Sequence, residues 1–391
     1  MAVDGLVVKK ADLGSVDSLG EGGTAKVYRV AGQPTTEPYA LVYKEYKPKI
    51  TKAAGPALLS GLRSIVEHRD RMDGPRQKVL DDRNIWPLRV VVDDDGRSAI
   101  GCLMRLIPDE YFQELHVPSG AVKMKPREVQ FLMMEEQDAR RAGVTVLNAH
   151  DRIAICGQIA RSLGFLHRAE VVFGDVSSRN AVYHMTPGGR PAVVLVDCDS
   201  VRIKGTRSPF GAQPHTPRWE PPEALAAKSA LDRMHHHSGG TTSQIRQLQN
   251  QSMVQSKATD VYKFGLLVVR LLDYGRNRSA NRDSKKAAAL LAKEIGRSAA
   301  QLLAATLAPT PEDRPTMRDW YELITGGASP TPAGDRRAVG ARPAGFDGDS
   351  NRAPVDAEGR SAAVLAGASP AAPASGRWAW HEGEGWRRVT S

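Results

Sequence analysis

Residues 171–180 read VVFGDVSSRN. Apolar residues lead into a polar turn where an acid, Asp175, precedes an amide, Asn180, by five positions. Turn formation alone accounts for one Asp and one Asn in a loop. The same pair can also carry chemistry: a carboxylate can accept a proton from an attacking hydroxyl, and an amide oxygen can hold a hard cation. The flanking sequence decides between these readings. Upstream, residues 150–168 place apolar side chains at helical spacing and predict a strong amphipathic helix. Downstream, AVYH and AVVLVD predict two short strands, the second ending at Asp197. An Asp closing an apolar strand is well placed to bind Mg²⁺.

Further toward the N-terminus, AKVYRV and YALVYKEY are rich in β-branched and aromatic residues and predict strands within 15–48. SLGEGGTAKVYRV sets Gly20, Gly22 and Gly23 before Val27. Glycines there let a backbone approach phosphates and offer N–H groups to them, although a glycine-rich hairpin turn without any ligand is equally common. Lys44 ends the apolar run ALVYK. Alone it reads as a solvated edge residue; behind a glycine loop a functional role is preferred. Residues 57–72 place Leu58, Leu59, Leu62, Ile65 and Val66 on one helical face. A hairpin follows, turning at DDDG, and residues 127–142 are expected to be helical.

On the C-terminal side, Pro209 to Lys257 is mostly polar and reads as irregular, with a flexible insert at about 228–257. His235, His236 and His237 lie in it with no Cys nearby, in a polar stretch, so a solvated loop is preferred to a metal site. Residues 258–274 predict a buried helix, and two or three more helices run to about Ile324. After Gly326 the chain turns to Ala, Pro, Gly, Ser and Arg, the composition of a disordered linker. The final GRWAWHEGEGWRRV gathers Trp378, Trp380 and Trp386 and suggests a peptide that docks on this chain or on a partner. Strands first and helices afterwards imply an α+β protein with a small β-rich lobe and a larger helical one.

Composition narrows the classes. The 391 residues are 41% hydrophobic and 25% charged, as in a soluble globular protein. No apolar run of about 18 residues occurs, and the N-terminus lacks the layout of a signal peptide, so a cytoplasmic protein without membrane spans is expected. Cys102, Cys156 and Cys198 lie far apart, which argues against a disulfide framework or a zinc site and for small buried hydrophobes. The net charge of +10 suits anionic ligands such as nucleotides. The basic residues are scattered and do not alternate with aromatics, so nucleic acid is not an expected partner.

Taken in order, the glycine loop, Lys44, Asp175 with Asn180, and Asp197 resemble the eukaryotic-type protein kinases, in a divergent bacterial branch. HTPRWEPPEAL resembles the segment closing the activation loop of that family, TDVYKFG the start of its buried helix, and PEDRPTM its late Arg, so that Arg314 would pair with Glu223. The resemblance implies a bilobal kinase-like fold with an N-terminal lead at 1–14, an N-lobe at 15–108, a C-lobe at 109–325, a linker at 326–375 and a Trp-rich peptide at 376–391. It implies an ATP- and Mg²⁺-dependent Ser/Thr protein kinase acting on a protein substrate. Asp175 would be the catalytic base, and Lys44 would hold the α- and β-phosphates. Asn180 and Asp197 would hold the metal, under the glycine loop of Gly20, Gly22 and Gly23. Val27, Val42 and Val182 would sandwich adenine, with Met104 guarding the pocket and Arg105 to Ile107 as hinge.

The departures are informative. Phe173-Gly174-Asp175 lacks the Arg that answers a phosphorylated activation loop, so activation by that route is not expected. Ser177 stands where the family has a Lys, and Arg179 is the candidate substitute for its charge, a surface arginine being the alternative. Asp197-Cys198-Asp199 replaces D-F-G. The acidic partner of Lys44 is unassigned between Glu67 and Asp70. Arg218-Trp219 and Arg179 look more like tyrosine kinases, whereas Thr216 matches the Ser/Thr branch. Two rival readings are a pseudokinase, a nucleotide-binding scaffold with little transfer activity, and a small-molecule phosphotransferase on the same fold.

Overall fold

The computed structural model describes residues 5–32, 35–36, 38–211, 213, 215–236, 241–253, 255–326, 377–381 and 385–389. Its N-terminal part is β-rich. Strands β1 (Val7–Lys9), β2 (Val16–Glu21), β3 (Ala25–Val30) and β4 (Leu41–Tyr46) are followed by helices α1 (Pro48–Ala54), α2 (Pro56–Asp70) and α3 (Gly74–Arg83), then by β5 (Pro87–Val92) and β6 (Ala99–Arg105). The six strands form one sheet in the order β1-β5-β6-β4-β3-β2. The β1–β5 pair is parallel and the others are antiparallel. The hairpin expected at DDDG is β5–β6, turned at Asp93 to Gly96, whose φ of 73° favours glycine. The segment read as an N-terminal lead instead supplies β1 to the sheet and buries Leu13.

The alternation of β4 puts side chains on two buried faces. One face, with Val42, packs on Leu58, Leu62 and Val66 of α2. The other, with Leu41 and Tyr43, packs on Leu13, Leu88 and Leu103. Helix α2 forms where its apolar spacing predicts it, and Pro56 opens its first turn.

The following part is mostly helical. A β7–β8 ribbon (Phe112–His116, Val122–Pro126) precedes α4 (Glu136–Arg141) and α5 (Ala149–Arg168). Short strands β9 (Val171–Val172), β10 (Ala181–Met185), β11 (Pro191–Leu195) and β12 (Arg202–Ile203) come next. Helices α6 (Pro222–His236), α7 (Thr242–Met253), α8 (Lys257–Leu272), α9 (Lys285–Glu294), α10 (Arg297–Thr306) and α11 (Met317–Ile324) complete it. Asn148 caps α5 by accepting from the Asp151 N–H at 2.8 Å. A Ser256–Thr259 capping box starts α8, which is buried along almost its whole length. The architecture is therefore α+β, β-rich first and helical second. No helix among the described residues is long and apolar enough to cross a membrane.

Two further expectations are corrected. The insert at about 228–257 is not irregular where it is described: it is the end of α6 and the whole of α7. Its Ala, Leu, Gln and Arg residues are good helix formers, and its polarity reflects exposure, since α7 buries no residue. Residues 127–142 hold only a 3₁₀ turn at Val129–Met133 and the short α4, because Met134 and Glu135 are extended between them. Residues 377–381 and 385–389 form an antiparallel pair, β13 and β14, with Trp380 opposite Trp386 in register. The linker expected at 326–375 lies, from residue 327 on, outside the described residues. All three cysteines are buried and free, as expected.

The two apolar regions meet where β11 passes α3. Ile85 N–H donates to Leu195 C=O at 2.8 Å. Val182 and Val194 join the core under the N-terminal sheet, while Ile65, Leu80 and Trp86 join the helical core. The loop of Asp175 and the strand end of Asp197 are thereby brought under β4.

Candidate active site

Lys44 is nearly buried on β4, opposite Val27 on one side and Cys102 on the other. Its Nζ donates to Asp199 Oδ1 at 2.8 Å and to Asp197 Oδ1 at 3.0 Å. Burial alone pulls the pKa of an amine down. Here Asp199 and Asp197 together outweigh it and hold the ammonium well above its ordinary value. The two carboxylates differ in setting: the Asp199 side chain is 2% exposed and that of Asp197 is 53% exposed. The second oxygen of Asp199 accepts from Tyr46 Oη at 2.6 Å. Burial, and then Asp199, push the Tyr46 phenol well up. Asp197 sits at φ 60°, ψ 37°, a left-handed conformation that costs a non-glycine residue about 1 kcal/mol or more.

The loop of the quoted stretch is pinned from below by α8. Asp260, fully buried, accepts from the N–H groups of Phe173 and Gly174, both at 2.8 Å, and lies 3.0 Å from His167 Nε2. Lys263 Nζ donates to Gly174 C=O and to Gln255 Oε1, each at 2.6 Å. Burial drags this amine down to about 8. Gly174 has φ 80°, and a Cβ there would lie 2.8 Å from the Gln213 amide. Both the backbone and the close approach of Gln213 require glycine.

Above this base, Asp175 accepts from Asn180 Nδ2 at 2.7 Å and from the Thr216 hydroxyl. The Asn180 amide nitrogen also donates to Asp175 C=O at 2.8 Å, so its oxygen is the group left to receive a cation. The sequence candidates Lys44, Asp175 and Asp197 line one cleft of about 500 Å³, together with Thr24 of the glycine loop, Phe210 and Gln213.

Val42, Met104 and Val182 are buried in one apolar cluster, with Leu19, Val27, Leu106 and Ile107 packed against it. Gly20 lies in β2 opposite Val27, beside a register shift, and Gly22 and Gly23 form the β2–β3 turn, where Gly22 N–H donates to Ala25 C=O at 2.8 Å. None of these three glycines has a positive φ, and a Cβ would meet no close neighbour at any of them. Internal packing therefore gives no reason for glycine there.

Arg179 is exposed and its Nε donates to Gln130 Oε1 at 3.0 Å. No hydrogen bond or ion pair joins it to Asp175 or Asp197 among the described residues. Neither candidate partner reaches Lys44. Glu67 is half-buried and pairs with Arg71 at 2.6 Å. Asp70 faces Arg69 and Arg89, at 3.3 and 3.7 Å. The residues that do surround Lys44, Asp199 and Tyr46, escaped sequence reading. Tyr46 follows Lys44 by two positions and so shares its face of the strand; that periodicity was the available signal. Arg314 and Glu223 do form the expected pair, bidentate at 2.9 and 2.6 Å.

Asp197 and Asn180 offer hard oxygen donors, of the kind Mg²⁺ takes when phosphates and water complete its shell. No group of three or more His, Cys, Asp or Glu that could hold a metal by itself occurs among the described residues. The donor set thus fits a cation that arrives with a phosphate ligand and does not fit a structural metal. No protein-family model matches the chain, and no curated protein matches it.

Proposed function

We propose that the chain is an ATP- and Mg²⁺-dependent protein kinase that transfers the γ-phosphoryl group to Ser or Thr hydroxyls, on a bilobal kinase-like fold. The observation that carries this reading is one arrangement: Lys44, Asp175 and Asp197 on a single cleft, with Asn180 bonded to Asp175. Next to it lies the apolar cluster of Val27, Val42, Met104 and Val182, of a kind that takes a purine ring. Asp175 accepts the proton of the incoming hydroxyl. Lys44 holds the α- and β-phosphates. Asp197 and Asn180 hold Mg²⁺, which neutralises phosphate charge when bound. Gly20, Gly22 and Gly23 let the β2–β3 backbone close over the phosphates. Catalysis of this kind is mainly positioning and charge stabilisation, which fixed residues can supply. The loop from Phe173 to Asp175 is held by Asp260 and Lys263 and not by an Arg, which fits activity without activation-loop phosphorylation.

One observation favours the pseudokinase reading. Ser177 replaces a Lys, and Arg179 is bonded to Gln130, so the γ-phosphate lacks a second cation from the loop. Incubation of the purified chain with labelled ATP, Mg²⁺ and a mixed protein substrate separates the two. The kinase reading expects Mg²⁺-dependent label on Ser or Thr, abolished by Asp175→Asn with ATP binding retained. ATP binding without transfer supports the pseudokinase. Absence of both removes the nucleotide reading altogether.

A further inference from the structure

We propose that Asp199, anchored by Tyr46, is the residue that positions Lys44, in place of a carboxylate from helix α2, and that Asp197 is the carboxylate released to the metal. This rests on the kinase reading. Lys44 has two acidic partners of unequal character. Asp199 is 2% exposed, and its other oxygen is occupied by Tyr46 Oη at 2.6 Å. Parting it from Lys44 would leave a buried charge without compensation, a large cost. Asp197 is 53% exposed, and its only side-chain bond among the described residues is the one to Lys44. Water or a cation can replace that bond at small cost.

Helix α2 cannot supply the anchor. Glu67 faces away and pairs with Arg71. The space between α2 and the site is filled by Pro209 and Phe210. A Cβ on Gly61 of α2 would lie 2.5 Å from Pro209 Cα. Phe210 meets the Tyr46 ring edge-on, with centroids 5.2 Å apart. The lysine is therefore set by β4 and the corner at 197–199, within one rigid neighbourhood. Its placement does not depend on a swing of α2.

The test is a double-mutant cycle on the full chain, because a role exercised through Lys44 must vanish when Lys44 is gone. Asp199→Asn keeps the shape and removes the charge. It is expected to lower turnover on the order of 100-fold, and to change the residual turnover of Lys44→Met by less than about twofold. Tyr46→Phe should lower turnover in the same direction by less, and Glu67→Gln should leave it within about twofold. In urea, the loss of midpoint caused by Asp199→Asn should likewise disappear in the Lys44→Met background. Wild-type turnover in Asp199→Asn overturns the proposal, as does a loss that adds in full to that of Lys44→Met. If Asp199→Asn does not fold, Tyr46→Phe carries the cycle. A wild-type chain that binds no ATP refutes the kinase reading instead; the urea cycle then decides alone whether Asp199 holds Lys44.

Discussion

Replacing Asp260 with Ala removes one carboxylate that serves three donors. Phe173 N–H and Gly174 N–H each lose a bond of 2.8 Å, and His167 Nε2 loses its partner at 3.0 Å. Phe173 is 1% exposed, so water does not readily replace the carboxylate. A buried N–H left unpaired costs about 1–3 kcal/mol, which puts two of them at roughly 2–6 kcal/mol. Lys263, one turn along α8, also loses a favourable negative neighbour. We expect a destabilisation of about 4 kcal/mol. In a chain of this size that lowers Tm by about 6 °C. Asp260→Asn keeps one acceptor and should lose about half as much. Circular dichroism melts measure both. Lys44 and Asp197 do not touch Asp260, so ATP affinity should stay within about twofold while transfer falls as Asp175 loses its fixed position. An Asp260→Ala variant that melts within about 1 °C of wild type, roughly the shift of a negligible ΔΔG at this size, would overturn the assignment of Asp260 as the anchor of this loop. A variant that keeps transfer but loses ATP binding would do the same.

Other perturbations follow from the same geometry. Glu223→Ala leaves the fully buried Arg314 guanidinium with the carbonyls of Ala258, Ala308 and Pro309 and the Tyr262 ring, 4.9 Å away; a loss of about 3 kcal/mol is expected in urea denaturation, and an unchanged midpoint would show that these neutral partners suffice. Lys263 has a folded pKa of about 8 against 10.5 when unfolded. The folded state therefore binds fewer protons between those values, and the Lys263 contribution to stability rises with pH across that window. Wild type should gain on Lys263→Met by up to about 3 kcal/mol from pH 8 to 10.5, and parallel stability curves would deny the shift. Arg179→Ala should change turnover by less than about threefold, as for an exposed side chain, whereas a loss of tenfold or more would bring Arg179 back to the phosphate.

How far the site was legible depends on how local each cause is. Strands β3 and β4 and helices α2, α5 and α8 follow from alternation and helical spacing within a few turns of chain, and their positions match the reading closely. Strand β1 pairs with β5 across more than 80 residues, Val7 opposite Val90, and no local pattern announces that. Helix α7 was hidden because polarity and helix formation are separate properties, and an exposed helix carries little apolar periodicity. Lys44, Asp175 and Asp197 stand out in the sequence as residue types at a recognisable spacing, and the structure brings them to one cleft. The partner of Lys44 is not legible locally: the candidates Glu67 and Asp70 lie on α2, whereas Asp199 reaches Lys44 from beyond Asp197 by a fold-level approach. Arg179 was read for its charge, but which way a loop arginine turns depends on a distant acceptor, here Gln130.

The three cysteines give the chain a set of internal reporters. Cys102 sits in the sheet beside Tyr46, Cys156 inside α5, and Cys198 at the corner between the metal-binding candidate and Asp199. Burial raises every one of these thiols, Cys102 and Cys156 to about 12, so at neutral pH none presents the thiolate that alkylating reagents need. Each becomes reactive only when its own neighbourhood opens. Because local openings in a folded chain span a wide range of free energies, the order in which the three are alkylated under mild denaturant reads out whether sheet, helical core or the 197–199 corner loosens first, without any added label in the sequence.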